Sequence, residues 1–362
     1  MDISFNNMKK IDSRIISFLR FPMIVGIVLI HSRLEIVGNS TYPIYTYLVT
    51  RGFIGTLTRV CVPLFFFISG YLFFINLQFF GRNEYLGKLK KRVRSLLEPY
   101  LFYNALAICL FMIIGFIRPE LQSGVVPRFS EWNIFMVARL FWDYGANLPI
   151  VPQFWFIRNL MVIVLLSPIL FYLIKKSSVC IVILLAALWG GNIWEFGVPG
   201  TMGLFFFSLG AFLSIHRLSP YSVSCKLSFI GYLYPLLAII DIISKGEPYN
   251  IYLHNVAILS GIIFWIYLIG CFLTKHDKYV SNNFLLAATF FVYAMHSPYN
   301  GKIVKVMLHF LPSVSENPVV GDIQYVIYYF LTATLWILFL LSMFAIIRKV
   351  SPRFAVFLSG GR

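Results

Sequence analysis

Long stretches without a charge constrain this chain more than any other feature. Leu160 to Ile174 and Ile323 to Ile347 contain no Asp, Glu, Lys or Arg, and similar runs recur along the 362 residues. Hydrophobic residues make up 59% of the chain, charged residues only 12%, and the mean hydropathy is +0.81, so too little polar surface exists to solvate a globule of this size. Lipid must be the solvent for most of it. Lipid offers the backbone no hydrogen-bond partner, so spanning segments are helices or closed barrels, and the unbroken runs select helices over the short alternating strands of a barrel. The expected fold is an all-α, polytopic integral membrane helix bundle.

A crossing helix needs about 20 residues at 1.5 Å each, and runs of that kind give about ten spans. The first five are Arg20 to Gly38, Phe53 to Phe79, Leu96 to Ile117, Phe154 to Ile174 and Val179 to Trp194. Gly200 to Ile215, Leu227 to Ser244, Tyr252 to Leu273, Phe284 to Tyr299 and Ile323 to Ile347 complete the set. An even number puts both termini on one side, and about 20 of the 30 Lys and Arg fall in the termini and loops of that side, which makes it cytoplasmic. The same placement accounts for the net charge of +16, because the cations lie in short clusters between apolar runs rather than in one basic domain of a nucleic-acid binder.

The chain reads as a single membrane domain over residues 1–362, with a cytoplasmic segment at 1–19 and a cytoplasmic tail at 348–362. Lys9, Lys10, Arg14 and Arg20 precede the first apolar run without a small-residue cleavage site, so that run is read as a retained span rather than a signal peptide. The longest interruption, 118–153, holds Pro119, Pro127, Pro149 and Pro152 around an amphipathic stretch, Trp132 to Trp142, expected as a short helix in the outer interface. A second outer loop, 301–322, carries Lys302, Lys305 and His309. Five single cysteines, Cys61, Cys109, Cys180, Cys225 and Cys271, show neither CxxC pairing nor metal-ligand spacing, and no metal is expected.

Some polar residues are costly where they stand. Arg20 and His31 are eleven positions apart in the first span, and eleven steps of about 100° return to within about 20° of one face. They look into the same groove about 16 Å apart, with His31 beyond the midplane. An ionisable group there is a functional candidate by default, the competing reading being a histidine satisfied by neighbouring helices. Glu35, one turn on, has the position to hold the imidazole in one tautomer, or else simply pairs with Arg33 at the interface. In the second span Arg59, Pro63 and Ser69-Gly70 supply a charge, a kink and a small pair that suits close helix packing. The run Lys88, Lys90, Lys91, Arg92 and Arg94 before Pro99-Tyr100 is either a topology determinant or a site for the phosphates of an anionic cofactor. Arg158, in Trp155-Phe156-Ile157-Arg158, and His296, in Tyr293-Ala294-Met295-His296, approach the outer half, where snorkelling or packing competes with a catalytic reading.

Taken in order, the Arg20 to His31 pair, Arg59 through Pro63 to Ser69-Gly70-Tyr71, the basic run into Pro99-Tyr100, Trp155 to Arg158, and Tyr293 with His296 resemble the acyltransferase-3 family of membrane O-acyltransferases. The resemblance is strongest over 10–175 and resumes around 285–300. It implies about ten spans, transfer of an acyl group, usually acetyl, from cytoplasmic coenzyme A, and a glycan or lipid-linked saccharide destined for the cell surface as acceptor. A multi-pass place in the bacterial inner membrane goes with this. His31 matches the family's essential histidine and Arg20 its partner arginine, while Glu35 is the candidate orienting carboxylate. Arg20, Lys91, Arg92 and Arg94 are candidates for binding acetyl-CoA. Arg59, Ser69, Trp155, Arg158, Tyr293 and His296 are candidates for the acceptor.

Two positions depart from the family's pattern. Ser95 stands where a paired-arginine motif would place a second Arg after Arg92, and Asn159 stands where many members have Asp. The esterase-like domain fused to some relatives is not expected. The chemistry fits the residues, because a hydroxyl loses its proton as it attacks a thioester and an imidazole near neutrality suits that transfer. The rival is a transporter or flippase of a lipid-linked saccharide, which needs the same buried Arg and His, though neither inverted repeats nor a matched pair of broken helices is evident.

Overall fold

The computed structural model describes residues 2–32, 46–75, 77, 80–117, 133–143, 148–193, 197–296 and 306–361. Every regular element among them is helical. In chain order these are α1 (Asp2–His31), α2 (Tyr47–Phe74), α3 (Arg82–Ile117), α4 (Ile134–Trp142), α5 (Trp155–Leu165), α6 (Ser167–Ser177) and α7 (Val179–Gly190). They continue with α8 (Thr201–Ile215), α9 (Pro220–Lys226), α10 (Ser228–Ile243), α11 (Asn250–Lys275), α12 (Asn283–Met295), α13 (Pro318–Val350) and α14 (Pro352–Leu358).

Among the described residues, each of the ten apolar runs overlaps a helix or a bent helix pair. The first crossing helix is Lys10–His31, so it starts ten residues before the expected Arg20 and carries that arginine near its middle. Among the described residues five helices, α1, α2, α3, α11 and α13, are long and apolar enough to cross a membrane alone, and up to seven spans result by length and composition if α5 with α6 and α8 with α9 each count as one. The other three, α7, α10 and α12, are shorter apolar helices. Large apolar side chains face outward, among them Phe116 at 90% exposure and Ile243 at 78%, a surface that water would not tolerate and that lipid solvates.

The irregularities in these helices have local causes. A proline ring clashes with the carbonyl four residues earlier. Pro63 aims that clash at Arg59, and α2 tightens to a 3-10 turn over Thr58–Val60. Pro99 aims it at Ser95, and α3 widens to a π turn over Val93–Leu97. Between α5 and α6 the chain bends by 64° just before Pro168, and between α8 and α9 it bends by 100° before Pro220.

Helices in lipid gain little from the hydrophobic effect and associate through close packing. The tightest example is the crossing of α2 with α8. A methyl group added at Gly70 would lie 2.0 Å from the Phe207 carbonyl oxygen, and one at Gly210 would lie 2.0 Å from that of Phe67. The two backbones touch at both points, so Gly70 is the packing notch expected of the Ser69-Gly70 pair.

α1 packs against α2, α11, α12 and α13, which makes it the central post of the bundle. Asp12, 2% exposed, anchors its first half by accepting from the Ser219 hydroxyl (2.9 Å), the Tyr221 amide (3.1 Å) and the Tyr71 hydroxyl (3.2 Å). Nearby, Arg14 donates to the carbonyls of His276 and Asp277, both at 3.0 Å, and so caps the C-terminus of α11 with a cation.

The amphipathic stretch expected in the long interruption is α4, whose first turn is capped by the Asn133 side chain accepting from the Met136 amide at 2.9 Å. Ile134 and Phe135 point outward from it. Residues 118–132 and 301–305 lie outside the described part of the structure, as do Arg33 and Glu35.

Candidate functional site

One face of α1 carries Arg20, Ile24, Ile27 and His31 at spacings of four, three and four, the helical neighbours of a single strip. Ile24, Ile27 and His31 line a cavity of about 740 Å³ counted to its open ends. The facing strip of α2, Val62, Phe65 and Ser69, lines the same cavity at spacings of three and four. α5 and the turn before it contribute Gln153, Trp155, Phe156, Ile157 and Leu160; α12 contributes Thr289, Phe290 and Tyr293; α3 contributes Arg92 and Leu96. A largely apolar slot thus has an imidazole in its wall at one end and a guanidinium in its wall at another.

Hydrogen bonds and stacked rings brace the His31 end. Tyr293 donates its hydroxyl to the Gln153 carbonyl at 2.6 Å, and the Gln153 amide donates to the Ala294 carbonyl at 3.1 Å. Phe154 is stacked between Tyr100 (5.6 Å) and Tyr293 (5.9 Å), so three rings tie α3 to α12 through the turn preceding α5. The His31 and His296 rings lie 5.2 Å apart. His296 is fully buried; its Nδ1 faces the Tyr293 carbonyl at 2.6 Å and therefore carries the proton. Its Nε2 holds a lone pair with no hydrogen-bond partner among the described residues. The Trp336 indole donates to the His296 carbonyl at 3.2 Å, which fixes this residue against α13.

The other end is cationic. Arg92 rests over the ring of Phe73 at 5.8 Å, and Lys88, over the same ring, donates to the Phe73 carbonyl. Arg20, one turn below Ile24, is close enough to Arg92 for their like charges to act on each other. No carboxylate pairs with either guanidinium among the described residues. Two half-buried like charges side by side are costly, and an anion between them relieves the cost. Phosphates fit that place by charge and by the forked geometry of guanidinium donors.

The remaining sequence candidates fall elsewhere. Lys91 and Arg94 are exposed on α3 and do not line the cavity. Arg158 is 1% exposed, donates to the Trp142 carbonyl and lies 5.6 Å from the Trp142 ring, so it pins α4 to α5 and does not reach the slot. Asn159 accepts from the Gly200 amide at 2.7 Å and donates to the Trp155 carbonyl at 2.7 Å, a bridging role that needs a donor as well as an acceptor and that a carboxylate would not fill. Arg59 lines a second cavity with Lys245, Glu247 and His254. Glu35 lies outside the described residues.

Sequence reasoning passed over Gln153 and Thr289, whose types carry no signal inside apolar runs. It also passed over Asp241, although an acid in Ile239-Ile240-Asp241-Ile242-Ile243 is the costly kind of residue that ought to have been singled out. Asp241 is fully buried and accepts from Thr56, Asn250 and His254.

A family model described as an acyltransferase domain matches residues 14–347. No curated protein and no solved structure matches the chain.

Proposed function

Because this chain belongs to the acyltransferase-3 family and is by that membership a membrane acyltransferase, we propose that it moves an acetyl group from coenzyme A to a hydroxyl of a cell-envelope glycan or its lipid-linked precursor. The observation that carries the reading is that His31 and Arg92 line one slot. Arg20 and Arg92 mark the cytoplasmic end and hold the donor's phosphates; the apolar walls accept its flexible arm; His31 receives the acceptor from the opposite side.

In the transfer, the acceptor oxygen attacks the thioester carbonyl carbon while its proton passes to the His31 imidazole. The carbon–sulfur bond then breaks, and the imidazolium returns the proton to the departing sulfur. The products are the ester and free thiol, and His31 ends neutral as it began. His296, with one nitrogen committed to the Tyr293 carbonyl, fixes the polar environment in which His31 takes up charge. Family membership favours this reading over saccharide transport, which would need no thioester.

The test uses purified full-length protein in detergent with acetyl-CoA and glycan extracted from the cell envelope of the source. Release of free thiol and acetylated glycan is expected together. His31→Ala should lower both by at least about a hundredfold, the lower end of what a positioned base contributes, with the melting temperature retained. Acetyl transfer that survives in this variant would remove His31 from the mechanism.

A further inference from the structure

Ile30, the neighbour of His31, lines a different cavity, about 1220 Å³ counted to its open mouth, between the first turns of α2 and the turn joining α10 to α11. Its character is unlike that of the slot. Arg59 and Lys245 bring two positive charges, Glu247 a negative one, and Tyr47, Thr50 and His254 add an aromatic ring, a hydroxyl and an imidazole.

Behind this wall is Asp241, fully buried and held by the Thr56 hydroxyl at 2.8 Å, the Asn250 amide at 3.0 Å and His254 Nδ1 at 3.0 Å. A carboxylate sunk among isoleucines fixes the His254 tautomer: Nδ1 donates to it, and Nε2 is left as an acceptor. His254 keeps 23% of its side chain exposed beside the cavity. Lys245 is steadied by donating to the Gly52 carbonyl at 3.3 Å. Arg59 is exposed and has no ion-pair or hydrogen-bond partner among the described residues.

We propose that this cavity is the acceptor subsite and that it takes a polyhydroxyl saccharide without large net charge. The inference rests on the acyl-transfer reading for the word acceptor and deepens it by naming where the sugar sits. Hydroxyl groups both donate and accept, so they satisfy a wall that offers donors from Arg59 and Lys245 and acceptors from Glu247 and His254. The C–H faces of a sugar ring pack on Tyr47. A bare anion fits poorly, because Glu247 and Asp241 offset the two cations. The polar cavity beside the apolar slot divides the two substrates by chemistry, and the two are adjacent at the last turn of α1, where Ile30 lines the one and His31 the other. His254 and Arg59 are binding residues here, not parts of the proton transfer.

Purified wild-type protein, Arg59→Gln and His254→Gln, each in detergent, are applied to an array of immobilised neutral and acidic oligosaccharides. Coenzyme A affinity and thiol release from acetyl-CoA are measured on the same samples. Wild type is expected to bind a subset of neutral glycans. Both substitutions should weaken that signal at least tenfold and leave coenzyme A affinity within twofold. Arg59→Gln keeps the test sound should His254→Gln fail to fold, because Arg59 is exposed and has no partner among the described residues. No array signal in wild type, a signal unchanged in both variants, or binding confined to strongly anionic glycans overturns the proposal. Sugar binding without thiol release would sink the acyl-transfer reading instead and leave the cavity assignment standing.

Discussion

Tyr293 holds one wall of the slot by two means, a hydroxyl bond to the Gln153 carbonyl and a ring stacked on Phe154. Tyr293→Phe removes the first and keeps the second. It should lower stability by about 1 kcal/mol, read as a small fall in melting temperature. It should lower transfer by between about tenfold and a hundredfold, because the Gln153 backbone and side chain position the wall opposite His31. Ser69 tests the slot itself: its small side chain lines the cavity from α2, and Ser69→Leu would fill space without touching a buried hydrogen bond. A rise of roughly tenfold or more in the donor KM, with expression retained, is the expected result. Of the residues singled out in the sequence, His31, Ser69, Arg92, Trp155 and Tyr293 meet around one cavity because helical periodicity and span placement are readable from spacing alone. Arg158 and Arg59 do not join them, since which neighbour a polar group meets across a helix interface depends on rotation and crossing angle, and neither is written in the hydropathy pattern. Asp241 was missed because a single acid hardly changes the apolar average of the run that contains it, and Asp12 because it stands among Lys9, Lys10 and Arg14, where an acid looks like ordinary loop charge.

At the scale of the elements, the decisive contact is the double glycine crossing of α2 and α8. Gly70→Ala and Gly210→Ala each force a methyl group against a backbone carbonyl and should cost about 3 kcal/mol or more, seen as loss of folded protein in a thermal-melt assay. Gly87→Ala, on an exposed turn of α3 with nothing within 4 Å, is the matched control and should stabilise by about 0.5–1 kcal/mol. Asp12→Ala leaves the Ser219, Tyr221 and Tyr71 donors without their shared acceptor and should destabilise by a few kcal/mol, loosening α9 from α1. The positions of the helices were legible because apolar runs this long have no other solution in lipid, and the Pro63 kink and the Ser69-Gly70 notch were legible from residue type. The sharp bend between α8 and α9 was not: the run ending at Ile215 looked like a complete span, and only the structure shows the chain turning through 100° into Pro220.

For the whole molecule, sidedness follows from charge. Lys278, exposed just beyond α11, belongs to the proposed cytoplasmic side, and Glu247, exposed in the turn before α11, to the opposite side. In a background lacking the native cysteines, Glu247→Cys should react with a membrane-impermeant maleimide on intact cells and Lys278→Cys only after lysis. The reverse pattern would invert the bundle and put the proposed phosphate-binding end of the slot on the outer side. The crossing at Gly70 and Gly210 also decides how this protein can adapt to its cargo. Two backbones already in contact have no slack, so the helix bearing Ser69 cannot retreat. Under the proposed transfer, an acyl tail bulkier than acetyl would have to find its room by displacing Trp155 or Phe290 across the gap, with the Ser69 wall held in place.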